Sequence, residues 1–249
     1  MTTTSLRSRT PAAVAAVAVL LGVVGCSSGA ADGQEAPTPS ERPASGPPAP
    51  RAPTSSPATT PVPTDLPEDV LLPASELQPE DGPRDVTTGV EPWVLSTGCD
   101  LGSPTAAVQM LSVRQGDGHF EVPVGVHQVA VFSDAQTAQT EAARIAAAAG
   151  ACAASAPGSD GGDTRYLVSG LDVGATGTSI VTDYYGVTST DPVADGIGDA
   201  VAVTRRGTAV TLVGAAGGES SMNSARTLVA GYAQQAWERL CRYQVDGCA

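Results

Sequence analysis

The N-terminal segment ends at a cysteine that constrains where the rest of the chain can fold. An apolar run begins near Ala12, follows the charged residues Arg7 and Arg9, and closes on Val23-Val24-Gly25-Cys26. A charged start, about a dozen apolar residues and small residues before the cut are typical of an export signal, whereas a spanning helix needs about 20 apolar residues. The alternative is an ordinary secretory peptide that contains a cysteine by chance. We predict a bacterial lipoprotein in which residues 1–25 are the signal peptide and Cys26 carries the lipid (palmitate) that holds the protein to the outer face of the cell membrane.

A proline-rich stretch follows the lipid site. Ten of the twenty prolines fall between Pro37 and Pro63, and the stretch has hardly an aliphatic side chain. Such a composition buries too little apolar surface to offset its ordering entropy. We therefore interpret residues 26–64 as a disordered tether and residues 65–249 as one compact domain, because about 185 residues are enough for a single core.

Composition excludes several classes of function. All thirteen basic residues are arginine, so Schiff-base chemistry, a P-loop lysine and a serine–lysine dyad are absent. The formal net charge of -13 repels nucleic acid and anionic lipid. We expect no nucleic-acid partner, and a membrane attachment that depends on the acyl chain.

Four cysteines remain once Cys26 is assigned to lipid: Cys99, Cys152, Cys241 and Cys248. In an exported protein four thiols indicate two disulfides, for which sequence alone permits three connectivities. The Asp246-Gly247 turn signal favours Cys241–Cys248, and with it Cys99–Cys152. A zinc site is the rival, but these spacings match no zinc pattern.

The apolar patterns predict an α+β domain, an antiparallel sheet covered by two main helices and stapled by disulfides. The predicted strands are 93–96, 106–113, 122–132 with a possible break at Pro123 and Gly125, 166–168 and 178–187, and a hairpin joins 199–204 to 208–214 across Arg205-Arg206-Gly207. The predicted helices are a short turn at 74–77, one helix from a Ser133-x-x-Gln136 capping box to Gly150, and a last helix from Ser221 through Leu240.

No residue set has a catalytic pattern. His119 and His127 are eight residues apart in a strand-rich region, and we interpret them as independent surface or rim histidines. Asp191, Asp195 and Asp199 match part of an EF-hand loop, but the bidentate glutamate is missing, which favours a turn. Ser179 and Ser221 lack the residues that would activate a nucleophile. We expect no metal and no cofactor.

Three aromatic side chains remain as weak candidates for a ligand site. They are Trp93, Tyr184 and Tyr185, since aromatic rings often line ligand clefts. Packing roles are the alternative for all three. Neighbours in a strand point to opposite faces, so at least one tyrosine of the pair is expected on the less buried side.

The region from about Leu71 to Cys248 resembles the extracellular sensor-domain family of PknH-type mycobacterial kinases, which actinobacterial lipoproteins also carry. The likeness rests on Leu71-Leu72, Cys99, the strand and helix from Gln128 to Cys152, the stretch 198–207 and the last helix. It implies an antiparallel sheet with flanking helices, two disulfides, no enzymatic activity and an open cleft for an unidentified extracellular ligand.

Together these features predict a non-enzymatic, lipid-anchored extracytoplasmic binding or sensor-like module. Its partner would be a small envelope ligand or an envelope protein. The alternative is a cell-envelope structural or assembly protein that binds a protein or a wall polymer. A concave pocket beside the sheet would favour the first, and a flat apolar patch the second.

Overall fold

A computed structural model of the chain describes residues 62–95, 98–119, 122–155 and 163–248. These residues all belong to one compact unit, Ser56–Ala249. Cys26 and the predicted tether, except residues 62–64, lie outside the described residues. Within the described ranges, no helix has the length and apolar character needed to cross a membrane.

The domain is an α+β fold with one seven-stranded antiparallel sheet and two long helices, which confirms the predicted fold class. The strands are β1 (Arg84–Thr88), β2 (Gln109–Gln115), β3 (Val124–Val131), β4 (Arg165–Leu171), β5 (Gly177–Asp183), β6 (Gly198–Arg206) and β7 (Ala209–Ala216); the helices are α1 (Ala135–Ser155) and α2 (Met222–Arg239). The strand order is β1-β2-β3-β7-β6-β5-β4. All neighbouring strands are antiparallel.

One part of the sheet, β4–β7, is covered by helices, and we call it the helix-covered half. Small apolar side chains of α1, such as Ala138 and Ala149, pack with Ile145 against Val201 and Leu212 on one face. The helix α2 packs on the other face through residues at three- and four-residue intervals, which are Ala225, Val229, Tyr232 and Ala236. The predicted apolar face of the last helix is confirmed.

The other part of the sheet, β1–β3, is covered by irregular chain on both faces, and we call it the loop-covered half. Residues 62–79, the N-terminal strap, lie on the face that α2 shares, with Leu71, Leu72 and Leu77 buried against Val113 and Val129. Residues 90–102, the Trp93 loop, lie on the opposite face, where Trp93 and Leu101 pack with Met110. Residues 96 and 97 of this loop are outside the described residues.

The N-terminal strap approaches β3 so closely that one position must be glycine. A Cβ on Gly125 would lie 2.7 Å from Leu77 Cγ. The predicted break near Gly125 is wrong, because β3 continues through it and the glycine makes room for the strap instead.

Several predicted boundaries are wrong for identifiable reasons. Residues 93–95 form no strand, because the backbone groups of this stretch bond a side chain and the loop itself. The helix α1 is capped by Asp134, whose Oδ1 accepts from Thr137 N at 2.7 Å, rather than by Ser133. It also continues past Gly150 to Ser155, as no steric demand ends it there. The strand β1 was not predicted.

The predicted hairpin and both favoured disulfides are confirmed. Strands β6 and β7 pair with Arg206 opposite Ala209, and the turn uses Gly207 at a φ of 55°. Cys99 is joined to Cys152 and Cys241 to Cys248. The first bond connects the Trp93 loop to the end of α1, and the second closes the chain just after α2.

Candidate functional site

A cavity of about 460 Å³ lies in the loop-covered half, between the Trp93 loop and the sheet at the edge strand β1 and its neighbour β2. Its floor comes from strand residues and its wall from the loop: Asp85, Thr87 and Arg114 below, and Glu91, Pro92, Trp93, Val94, Leu95, Cys99 and Asp100 at the side. Ligand sites of small molecules commonly have volumes of roughly 300–1,000 Å³. Of the three aromatic candidates, only Trp93 lines this cavity.

Trp93 is fixed by a chain of hydrogen bonds that begins at its indole. Trp93 Nε1 donates to Glu141 Oε1 of α1 at 2.7 Å. Arg144 binds the same carboxylate through Nε and Nη2, at 2.9 and 2.7 Å, and its Nη1 donates to Leu101 O at 2.7 Å. The bond with Glu141 raises the pKa of Arg144. Both ends of the Trp93 loop are thus tied to one helical turn of α1.

Gln128 on β3 fixes the same loop from the sheet side. Its side chain is fully buried. Its Oε1 accepts from Val94 N at 2.8 Å, while its Nε2 donates to Pro92 O at 3.0 Å and to Glu91 Oε1 at 3.2 Å. The buried amide forms hydrogen bonds with backbone groups of the irregular loop, which would otherwise need partners from a neighbouring strand. The wall of the cavity is therefore preformed.

The disulfide Cys99–Cys152 adds a covalent attachment at the far end of the wall. Trp93 N also donates to Gly102 O at 2.9 Å, which closes the loop on itself. The loop is held by the sheet, by α1 and by its own backbone.

The cavity contains three carboxylates and one guanidinium. Asp85 lies directly opposite Arg114 in the register of β1 and β2, and both line the cavity. Glu91 and Asp100 stand in the loop. Among the residues that the structure describes, the ion pairs are Arg144–Glu141, Arg239–Glu76 and Arg242–Asp69, so none involves a charge of the cavity floor.

The two tyrosine candidates lie in the helix-covered half, after β5, and do not line the cavity. Tyr184 OH donates to Asp199 Oδ2 at 2.9 Å, and Gly217 N donates to the same oxygen at 2.9 Å. This arrangement favours a packing role for Tyr184. Tyr185 is 55% exposed, so the expectation that one tyrosine of the pair is less buried is met.

His127 is fully buried, and its interpretation as a surface or rim residue is wrong. Its Nδ1 accepts from Leu72 N at 2.9 Å, so Nε2 carries the proton and donates to Thr211 Oγ1 at 2.9 Å. Burial, with a smaller contribution from Arg239 and Arg84, lowers its pKa to about 3. The ring is a neutral anchor for the N-terminal strap, while His119 is exposed.

The aspartates of the partial EF-hand pattern have separate structural roles. Asp191 Oδ1 accepts from Val193 N, and Asp195 Oδ1 accepts from Asn223 N in the first turn of α2. Asp199 is buried beside Tyr184. In the described part of the chain, no group of three histidine, cysteine or carboxylate side chains is placed to hold a metal ion.

Sequence reasoning did not find Asp85, Arg114 or Gln128. The first two are ordinary charges on strands, and only the register of β1 and β2 brings them together. Gln128 carries a usable signal, because it is the polar side chain in Gln128-Val129-Ala130-Val131-Phe132, where every residue is buried and a buried amide needs partners.

The chain is similar to a solved structure. No family model and no curated protein matches the chain. The chain is similar to the crystal structure of the extracellular domain of PknH from Mycobacterium tuberculosis, with 13% sequence identity, a TM-score of 0.48, and coverage of 72% of this chain and 98% of that chain. The family resemblance seen in the sequence stays a prediction, and what the cavity can bind depends on its own side chains.

Proposed function

We propose that the chain is a non-enzymatic, lipid-anchored extracytoplasmic binding or sensor-like module whose small ligand occupies the cavity under the Trp93 loop. The observation that carries this proposal is the preformed wall. Gln128, Glu141 and the Cys99–Cys152 bond hold the loop through contacts within the chain itself. A site that is ordered before binding loses little conformational entropy when the ligand enters.

The positions of the polar side chains support binding rather than catalysis. His127 has both ring nitrogens in hydrogen bonds inside the core, and Ser179 is buried in β5. Neither lines the cavity. A general base has to reach the proton that it abstracts, and neither His127 nor Ser179 reaches this cavity.

The lipid anchor is supported by the sequence alone. Conversion of Cys26 to Ala is expected to abolish lipid modification and to move the protein out of the membrane fraction. Fractionation after a high-salt wash measures this. A Cys26→Ala protein that still sediments with membranes would contradict the anchor.

Native mass spectrometry of the protein purified from its own envelope tests the binding function. We expect the wild type to retain a small molecule that is lost in Thr87→Trp, because Thr87 lines the cavity and the indole would fill it. Thr88→Trp is the matched control, since Thr88 is exposed on the same strand and points to the opposite face. Equal retention by both variants, or none by the wild type, would contradict a ligand in this cavity.

The edge strand β4 favours the second candidate, an envelope structural or assembly protein. β4 has seven residues, with Tyr166, Leu167 and Val168 half-buried, and pairs only through β5. An apolar edge strand can add a strand from another chain. Under this alternative, Ser169→Lys on β4 would abolish co-fractionation with an envelope partner and Thr87→Trp would leave it unchanged. Under the proposed function, Thr87→Trp would abolish ligand retention and Ser169→Lys would leave it unchanged.

A further inference from the structure

The floor of the cavity presents two opposite charges that are not joined in an ion pair. Asp85 and Arg114 face each other across β1 and β2, and opposite residues of an antiparallel pair point to the same side of the sheet. In the part of the chain that the structure describes, neither side chain forms an ion pair. Both are exposed and reach the cavity, so both charges are available to a ligand.

The wall adds two further carboxylates, each of which uses one oxygen for structure. Glu91 Oε1 accepts from Gln128 Nε2 at 3.2 Å, and Asp100 Oδ1 accepts from Gly102 N at 2.7 Å. These bonds fix the direction of each carboxylate. Among the described residues, the structure shows no hydrogen bond to the second oxygen of either carboxylate, so the wall can accept from a donor in the cavity.

This arrangement selects against ligands that carry a charge of one sign only. A purely anionic molecule would meet three carboxylates, and a purely cationic one would leave Arg114 without a partner. A ligand with an ammonium group and a carboxylate satisfies both, because a guanidinium binds a carboxylate through paired N–H donors and an ammonium group donates to carboxylate oxygens. The volume of about 460 Å³ accommodates a molecule the size of a dipeptide.

We infer that the ligand of this cavity is a zwitterion of the amino-acid or short-peptide class, with its carboxylate on Arg114 and its ammonium group between Asp85 and the wall carboxylates. The inference rests on the proposed function, since it names the ligand class of the same site. Arg114 and Asp85 determine which charges the ligand must carry, and the Trp93 loop determines the shape of the cavity.

Titration with three matched probes tests the ligand class. The probes are L-alanyl-L-alanine, its methyl ester, which keeps only the ammonium charge, and N-acetyl-L-alanyl-L-alanine, which keeps only the carboxylate. Nuclear magnetic resonance of the Trp93 indole and of the amides of β1 and β2 gives the affinities. We expect the free dipeptide to bind about tenfold more tightly than either derivative, since each loses one charge-assisted hydrogen-bonding group.

Two arginine variants test whether Arg114 causes the preference for the free dipeptide. In Arg114→Gln the free dipeptide is expected to bind no better than its methyl ester. Arg226→Gln removes the same charge from α2, where Arg226 Nη1 donates to Asn223 Oδ1, and should keep the preference. A preference that both variants lose, or that both keep, would contradict a role for Arg114.

Failure of the ligand class can be distinguished from failure of the proposed function. If either derivative binds as tightly as the dipeptide, the zwitterion class is wrong while binding in the cavity stands. If none of the probes shifts the cavity resonances, the ligand class is also wrong, and the native mass spectra then decide the rest. A molecule retained by the wild type and lost in Thr87→Trp keeps the proposed function, and no retained molecule overturns both.

Discussion

The two halves of the sheet are covered by different means. In the helix-covered half, α1 and α2 bury small apolar side chains against β4–β7, and the contacts need no specific direction. In the loop-covered half, irregular chain is held on each face by buried polar side chains: His127 and Gln115 hold the N-terminal strap, and Gln128 holds the Trp93 loop.

This difference leaves room for a cavity under the Trp93 loop. A helix covers a sheet face continuously, whereas a loop tied at a few points leaves space between its anchors. Gln128, for example, holds the Trp93 loop only at Glu91, Pro92 O and Val94 N among the described residues of that loop. Both halves contribute to the core, and the loop-covered half contains the cavity in which we propose that the ligand binds.

The largest expected effect is a loss of folding stability in acid, and it arises in the loop-covered half. Because burial lowers the pKa of His127 to about 3, the unfolded chain takes up a proton more readily than the folded one. The contribution of the neutral His127 ring to the free energy of unfolding is fully present above pH 6.5. It is lost as the pH falls to 3, by about 1.4 kcal/mol per pH unit and about 5 kcal/mol in total. Denaturant unfolding across this range measures it.

His127→Gln provides the control for the acid effect. A glutamine can still accept from Leu72 N but does not titrate, so the pH dependence between 6.5 and 3 should become flatter by about one proton. An unchanged slope would show that other groups cause the acid sensitivity.

The disulfides come next in size. Replacing both Cys99 and Cys152 by Ser is expected to lower the free energy of unfolding by about 4 kcal/mol, because their bond closes a long loop. The same change at Cys241 and Cys248 should cost about 2.5 kcal/mol, because only seven positions separate them. Chemical unfolding of both variants checks the order, and a larger loss at the C-terminal pair would contradict it.

A pair of core substitutions separates stability from binding. Ile145→Ala in α1 should cost about 3 kcal/mol through the space that it leaves, yet ligand retention should persist. Gln128→Leu should cost about 2 kcal/mol, because Val94 N and Pro92 O lose their partner, and ligand retention should fail. The comparison between the halves is wrong if Ile145→Ala loses the ligand and Gln128→Leu keeps it.

The smallest expected effect concerns helix ends. Ser221→Ala should cost about 1 kcal/mol, because Ser221 Oγ accepts from Ser224 N in the first turn of α2. Ser133→Ala should leave thermal stability unchanged, since Asp134 caps α1. Equal losses at the two serines would restore the predicted Ser133 cap.

The helix-covered half could be predicted well from the sequence. Helix α2 and the β6–β7 hairpin have regular apolar periods and a turn at Arg205-Arg206-Gly207, and both were found within a few residues. The cysteine pairing followed from the short spacing near the C-terminus. Periodicity reports apolar burial, and apolar burial is what holds this half together.

In the loop-covered half β2 and β3 were predicted, but β1, the burial of His127 and the cavity were missed, for a physical reason. β1 reads Arg84-Asp85-Val86-Thr87-Thr88, which has one apolar residue and no detectable alternation. His127 follows Val126 in a strand that is buried on both faces, so a histidine there can be inside only if the distant Leu72 and Thr211 supply its hydrogen bonds. Partners this far apart in the chain leave no local pattern, and the cavity, whose floor is assembled by the register of β1 and β2, leaves none either.

Hydrogen–deuterium exchange tests most directly whether ligand binding belongs to the loop-covered half. The protein would be compared before and after addition of the small-molecule fraction of its own envelope. We expect slower exchange in residues 85–95 and 98–102, with α2 and β4 unchanged. Slower exchange confined to α2 or β4 would place the ligand on the helix-covered half and contradict it.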